Sequence, residues 1–416
     1  FGSEPKFPNP SILRFVNHLY RTSREEFYAA MLIKTLDGMS NGQVWDSSDG
    51  GFFRHCDQAD WGQPQHEKML EDNLGLAREF LDAGILLDRP QYLETARQTV
   101  NYLMEQLYNS SVPGFRGSQG AHSDYFSLKP DQRAVGARPA PDPSCYANCN
   151  GLAVTVLLDA AWKLGDPFLL ATALEVLEKL DSMAQSSSFS HVYSDQGPSD
   201  VPALFTDWAW LLAALMQAHG NTAVESYLDR ATGVAQIMME RFFDPDNGGF
   251  YDIEEQTEAI GHLQIREKAL ADNAVAAQAL LRLHQTTRNE DYRQVAEATL
   301  SVFAETFREQ GEFAADYALA VHLLKNNTIE VTIEGRPEDL GSQALLAAAA
   351  RLRQPNLDIK TVMAADNDIV ARAHVCLDTV CLPPVDSPAE LAKAVAGLTK
   401  QQGDPFQDIF QIFPGN

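Results

Sequence analysis

Glu67-Lys68-Met69-Leu70-Glu71-Asp72-Asn73 recurs as Glu267-Lys268-Ala269-Leu270-Ala271-Asp272-Asn273, with five of seven positions identical. Each copy follows a Gly-Gly-Phe turn, Gly50-Gly51-Phe52 and Gly248-Gly249-Phe250, at a similar spacing. A turn and a helix start repeated at one offset point to copies of a single hairpin arranged side by side. On a helical wheel Leu70, Leu74, Ala77 and Leu81 form one apolar stripe, and Leu270, Ala274, Ala277 and Leu281 repeat it. Lys68 and Asp72 fall opposite the first stripe, and Lys268 and Asp272 opposite the second, so both pairs are expected to face a common central cavity. The competing reading is a surface ion pair contributing about 0.3–0.5 kcal/mol.

Outward from the repeat, the stretch from Pro10 to about Lys325 alternates segments of helical apolar period with loops rich in Gly, Pro, Asp and Ser. Helices are predicted near 10–20, 24–39, 66–83, 89–108, 146–163, 167–184, 202–218, 222–242, 267–285, 290–308 and 312–325. They make close to six hairpins, and the expected fold is mainly α, an (α/α)6 toroid over residues 1–326. Beyond Asn327 the pattern changes to strand-like Ile329–Ile333, an Ala-rich helix near 339–353 and strand-like Ile359–Met363, a β-α-β unit. A further apolar run, Ala373–Cys376, and a helix near 387–399 complete a small α/β C-terminal subdomain over residues 327–416.

The chain of 416 residues carries 32 Lys and Arg against 57 Asp and Glu, a formal charge of -25. That balance disfavours nucleic acid or an anionic membrane as partner. No run approaches the roughly 20 apolar residues that span a bilayer, and no secretory signal pattern opens the chain, so a soluble protein is expected. It begins Phe1-Gly2-Ser3 without an initiator Met, which suggests that a segment precedes it. Cys56, Cys145, Cys149, Cys376 and Cys381 form no C-x-x-C pair and no framework spacing, so inert thiols in a cytoplasmic or other reducing compartment are expected. Cys145 with Cys149, or Cys376 with Cys381, are near enough in sequence to meet. No metal ligand set and no cofactor motif is evident. Asp244-Pro245-Asp246-Asn247 lacks EF-hand spacing and reads as a tight turn.

Lys6-Phe7-Pro8, Gly50-Gly51-Phe52-Phe53-Arg54, Trp61, Pro64 and Glu67-Lys68-Met69-Leu70 with Asp72-Asn73 resemble a family of thioredoxin-domain proteins known in animals as spermatogenesis-associated. The resemblance covers nearly the whole chain, ending with Val375-Cys376 through Cys381-x-Pro383. It implies a six-hairpin, glycosidase-like toroid normally preceded by a thioredoxin-like domain, which is expected to be missing from this chain. Three departures stand out. The family's Pro-His-Phe-Glu-Lys-Met reads Pro64-Gln65-His66-Glu67-Lys68-Met69, moving the histidine by one position. An acidic loop is replaced by residues 113–120, and the fifth hairpin's loop is shortened around Arg266 to Asn273.

Chemistry on this architecture needs paired proton-transfer groups across a sugar-sized cavity. Glu67 and Glu267 are the candidate carboxylates, although acids at helix starts also complement the helix dipole. Asp207, beside Trp208 and Trp210, opens another helix, as a sugar-stacking site or as a cap before core aromatics. His66 and His262 precede the repeated helices and form the candidate histidine pair. Arg54, Trp61, Lys68, Asp72, Trp208, Arg266, Lys268 and Asp272 complete the expected mouth. The sequence therefore points to a carbohydrate-active or carbohydrate-binding toroid with a sugar as ligand. The alternative is a non-catalytic module that docks a protein through its acidic surface and appendage. A redox role would depend on the thioredoxin part.

Overall fold

Leu-Gly-Asp-Pro at 164–167 shows how the helices pair: Gly165 takes a left-handed conformation (φ 67°), returns its N–H to Ala161, and Pro167 starts the next helix. In the computed structural model, which describes residues 5–185, 189–255, 265–326, 328–352, 357–364, 370–377 and 380–399, this device recurs around the molecule. Arg24, Ala223 and Arg288 are likewise left-handed at helix ends, with φ of 59°, 53° and 60°.

The hairpins are α1 (Pro10–Ser23) with α2 (Glu26–Asn41), α3 (Leu70–Leu86) with α4 (Pro90–Tyr102), α5 (Ala147–Leu164) with α6 (Pro167–Gln185), α7 (Phe205–Thr222) with α8 (Glu225–Arg241), and α9 (Leu270–Thr287) with α10 (Glu290–Ser301). A 3₁₀ segment, Phe307–Ala314, then leads into α11 (Ala315–Lys325). The odd-numbered helices touch in sequence, and α11 returns to α1, so they close an inner ring; each even-numbered helix packs outside its own partner. The fold is the expected (α/α)6 toroid, with one difference: α11 runs into a sheet rather than a sixth outer helix. Every short turn lies at the C-terminal end of the inner helices, and every long connection gathers at their N-terminal end. One end of the ring is therefore a mouth built of loops. Two-residue strand pairs stiffen that mouth, including Lys68–Met69 against Ser118–Gln119, which the helical periodicity did not predict.

The repeat that reveals the ring encodes a fastener. Gly50 and Gly51 (φ 77° and 79°), like Gly248 and Gly249 (both 75°), sit where a Cβ is disfavoured. The Lys68 ammonium donates to Asp46 at 2.8 Å and to the Gly50 carbonyl at 2.6 Å; Lys268 does the same to Asp244 and Gly248 at the same distances. Asn73 accepts from the Phe52 N–H and donates to its carbonyl, and Asn273 treats Phe250 identically. The Asp244 stretch is thus the tight turn expected. The lysines do not face the axis as expected, because the helices begin at Leu70 and Leu270 and the residues before them are not helical. Off the helix, Lys68 turns down into the Asp46 turn and is fully buried.

The C-terminal elements are β1 (Ile329–Gly335), α12 (Leu340–Arg351), β2 (Leu357–Met363), β3 (Arg372–Leu377), β4 (Val380–Cys381) and α13 (Pro388–Thr399). The sheet order is β2-β1-β3-β4, with β1 and β2 parallel as a β-α-β unit requires and β3 antiparallel to β1. Ile329, Val331, Ile333, Leu345, Val375 and Leu391 form its buried apolar cluster, which also takes in Trp162 of α5. Asn221 donates to Thr361 Oγ1 at 2.6 Å, Gln343 to the Trp162 carbonyl at 2.6 Å, and Arg351 to the Ile85 carbonyl at 2.8 Å. These bonds fix the sheet unit over the short-turn end of the ring. Cys376 and Cys381 are joined by a disulfide between β3 and β4, whereas Cys56, Cys145 and Cys149 are free. The expectation of inert thiols thus fails for one pair, which strand pairing brings opposite each other. Among the described residues, no helix is long and apolar enough to cross a membrane.

Candidate functional site

One face of each inner helix is less apolar than a packed core would be. Arg14 and His18 on α1, Arg78 and Asp82 on α3, Asp159 and Lys163 on α5, and Gln278 and Arg282 on α9 stand four residues apart, one above the other on a helix face. His322 near the end of α11 and Asn326 just beyond it repeat the spacing, and Gln217 represents α7. All line one axial cavity of about 360 Å³, closed at the short-turn end by Leu346 and Ala350 of α12 and by Leu357, Ile359 and Thr361 of β2. Trp210 also faces it, and Gly151 of α5 lets the Trp210 backbone approach closely, since a Cβ there would lie 2.7 Å from Trp210 Cβ.

Charge in the cavity is largely paired. Lys163 bonds both Asp82 and Asp159, Arg14 bonds Asp316 at 3.1 Å and Gln278 at 3.2 Å, and Arg78 bonds Glu79 at 3.1 Å. Burial pushes the Glu79 carboxyl up to about 7, opposing Arg78 and the Asn17 amide that donates to it at 2.9 Å. Burial, followed by the nearby Arg21, His322 and Arg14, drives His18 well below its ordinary value, so it is neutral. His18 and His322 meet edge to face with centroids 4.6 Å apart. Three polar atoms of the lining, Asn17 Oδ1, His18 Nε2 and Trp162 Nε1, are buried without a hydrogen-bond partner among the described residues. Native interiors rarely leave such atoms unsatisfied, so they mark places where a ligand or water bonds.

At the mouth, Asp72, Cys149, Asp207 and Asp272 each occupy the third residue of successive inner helices, α3, α5, α7 and α9. Asp207 is fully buried; it accepts from the N–H groups of Asn148 (2.8 Å) and Leu204 (2.7 Å), and both its oxygens lie 3.0 Å from His191 Nδ1. That bond raises His191. Thr206 donates to Asp272 at 2.8 Å. Burial, then Glu71, lifts Asp72 to about 7 against the pull of Arg54, which pairs with Glu67 at 2.7 Å. The same position on neighbouring helices thus yields a cluster of acids around the entrance, with the His191–Asp207 dyad among them.

The candidate residues read from sequence divide accordingly. Asp72, Asp207 and Asp272 share the mouth register, and Arg54 and Glu67 stand beside Asp72 as an ion pair. Glu267 is exposed, its backbone paired with Asp252. His66 is wedged between Phe53 and Phe126, and His262 lies outside the described residues. Arg266 stacks on Tyr251 at 3.9 Å and donates to the Ile253 carbonyl. Lys68 and Lys268 are held in their fasteners. Trp61 and Trp208, each 4% exposed, are core: Lys6 lies over the first ring and Phe189 packs on the second. His18, His322, His191 and the arginines of the cavity escaped notice. The signal for most of them was present as polar i, i+4 pairs on otherwise apolar helices; His191, in a loop, offered none.

No family model matches the sequence. Spermatogenesis-associated protein 20 of Mus musculus is 21% identical over 94% of this chain, and so is its Homo sapiens counterpart; the chain spans 66% of the length of each. Among solved structures, a D-mannose isomerase superposes with a TM-score of 0.58 at 11% identity, covering 72% of this chain and 76% of that one. The cellobiose 2-epimerase of Bacillus thermoamylovorans gives 0.58 at 12%, covering 73% and 77%. A family 76 glycoside hydrolase from a Bacteroides thetaiotaomicron strain gives 0.52 at 15%, covering 72% and 60%. By sequence the chain is similar to spermatogenesis-associated protein 20 along nearly its whole length, and its fold is the (α/α)6 toroid that these solved structures share.

Proposed function

We propose that the toroid takes a mono- or disaccharide into its axial cavity and acts on it as an isomerase, epimerase or glycosidase. The observation that carries this reading is the lining: six helices contribute polar side chains to one cavity of about 360 Å³, and three buried polar atoms there have no partner among the described residues. Ligand pockets of this size with a few convergent polar groups suit a small polyol, whose hydroxyls both donate and accept. Trp210 offers an apolar face for a sugar ring. His18 and His322 are the imidazoles of the cavity, and the His191–Asp207 dyad and Asp72 offer a second set of proton-transfer groups at the mouth. The structural neighbours named for sugar chemistry support the same reading by analogy of fold.

A thermal-shift screen of common mono- and disaccharides tests it. A sugar at 100 times its dissociation constant should stabilise the protein by about 2.7 kcal/mol. The shift should disappear in a Gln217→Leu, Gln278→Leu double variant whose own melting stays cooperative. Absence of any shift across the screen would remove the sugar reading in favour of a docking module.

A further inference from the structure

Matching every carboxylate around the cavity to its cation leaves a remainder. Lys163 takes Asp82 and Asp159, Arg14 takes Asp316, Arg78 takes Glu79, and Asp358 lies 3.9 Å from Lys360. Arg21 and Arg282 make no ion pair within 4.0 Å with a carboxylate among the described residues, although Asp82 and Asp358 act on Arg21 from farther off. Arg21 makes one hydrogen bond, to the Leu357 carbonyl at 3.3 Å, and Arg282 makes one, to Gln217 Oε1 at 3.4 Å. Both line the cavity toward its closed end.

A guanidinium has five donors in a planar fork and stays charged at any physiological pH. Enclosing two such groups with one long, neutral hydrogen bond apiece is unfavourable unless something else supplies negative charge. Burial, then Arg78, depresses Arg14, with Asp316 and Glu79 opposing and Arg282 adding to the effect; burial also depresses Arg21, with Asp82 and Asp358 opposing. Phosphate and carboxylate are the groups that match a guanidinium fork.

We infer that the sugar held in the axial cavity carries an anionic group, a phosphate or a carboxylate, seated at the closed end against Arg21 and Arg282. This rests on the reading of the cavity as a sugar site. The Gln217, Gln278 and Asn17 side chains bind the hydroxyls, and the anion fixes which end of the sugar points toward the sheet unit. The orientation follows from placement, since both arginines lie on the halves of α1 and α9 nearest β2.

Calorimetric titration of the full chain with mannose, mannose 6-phosphate, glucuronate and inorganic phosphate tests the inference. One anionic sugar should bind at least about tenfold more tightly than mannose, and Arg21→Gln and Arg282→Gln should each weaken it about ten- to a hundredfold. Mannose affinity should change by no more than about twofold in the same variants. Preference for mannose 6-phosphate assigns a phosphate, and preference for glucuronate a carboxylate. If mannose binds as tightly as both anionic sugars, or the variants weaken all three equally, the anion is wrong and the sugar site stands. If inorganic phosphate binds as well as mannose 6-phosphate, the sugar contributes nothing and the inference fails. If no sugar binds, both readings fail together. Should a Gln variant not fold, Arg282→Lys keeps the charge but not the fork, and it should retain mannose while losing most of the preference for the anion.

Discussion

His18 and His322, on the first and last inner helices, stack edge to face 4.6 Å apart at the seam where the ring closes. The contact is possible only because α11 returns to α1, and it places two imidazoles on one wall of the cavity, which arginines, carboxylates and amides also line. Since the rings touch, both would meet a ligand of the cavity from one side. Such a pair does not flank a carbon from opposite faces.

Removing either imidazole separates chemistry from folding. His18→Gln and His322→Gln should each lower turnover of a sugar substrate by about a hundredfold or more while leaving sugar binding within about tenfold. Single-turnover kinetics beside equilibrium titration would show it; equal loss of binding and turnover would mean that the pair only shapes the cavity.

His18 also predicts a pH dependence. Its folded value lies well below the ordinary 6.5, so the unfolded chain binds the proton first as pH falls. Stability should therefore be retained above about pH 6.5 and decline below it, and His18→Gln should flatten that decline. Urea melts from pH 5 to 8 on both proteins measure it.

Asp72 acts in the opposite direction. With a folded value near 7 against an ordinary 3.8, it binds its proton more readily in the folded protein, so its ionisation destabilises the fold as pH rises between those values. Asp72→Asn should raise stability at pH 8 by about 1–3 kcal/mol and change it little at pH 4. If Asp72 is also the mouth's proton donor, the gain comes with lost activity on the alkaline side.

Asn150 should prove a fastener equal to Asn73. It accepts from the Phe115 N–H at 2.6 Å and donates to its carbonyl at 3.0 Å, as Asn73 does with Phe52. Alanine at either position strands two buried backbone groups, and each variant should lose about 2–4 kcal/mol in denaturant melts. A cost below about 1 kcal/mol for Asn150→Ala would mean that the third fastener is dispensable.

Much of this protein is determined by local pattern alone. Helical periodicity and the Gly-Gly-Phe repeat mark the hairpins and the ring, because each inner helix must bury an apolar face at the same spacing and both Gly-Gly-Phe turns need left-handed glycines. The change to strand pattern after Asn327 marks the β-α-β unit for a similar reason. The repeat could not disclose that Lys68 serves Asp46 rather than the cavity, since that depends on a helix beginning at Leu70 and not three residues earlier. The fastener at Asn150 was hidden because its turn lies much further back along the chain than in the other two copies. Trp208 and Trp210, two residues apart, were indistinguishable in composition; the packing of α7 against its neighbours sends the first to Phe189 and the second to the axis. Only ring closure brings His18 to His322 and gathers Arg14, Arg78 and Arg282 around one space. Side chains so distant in sequence acquire a shared environment, and hence their charge state and chemistry, from packing across the ring and from no feature of the segments that carry them.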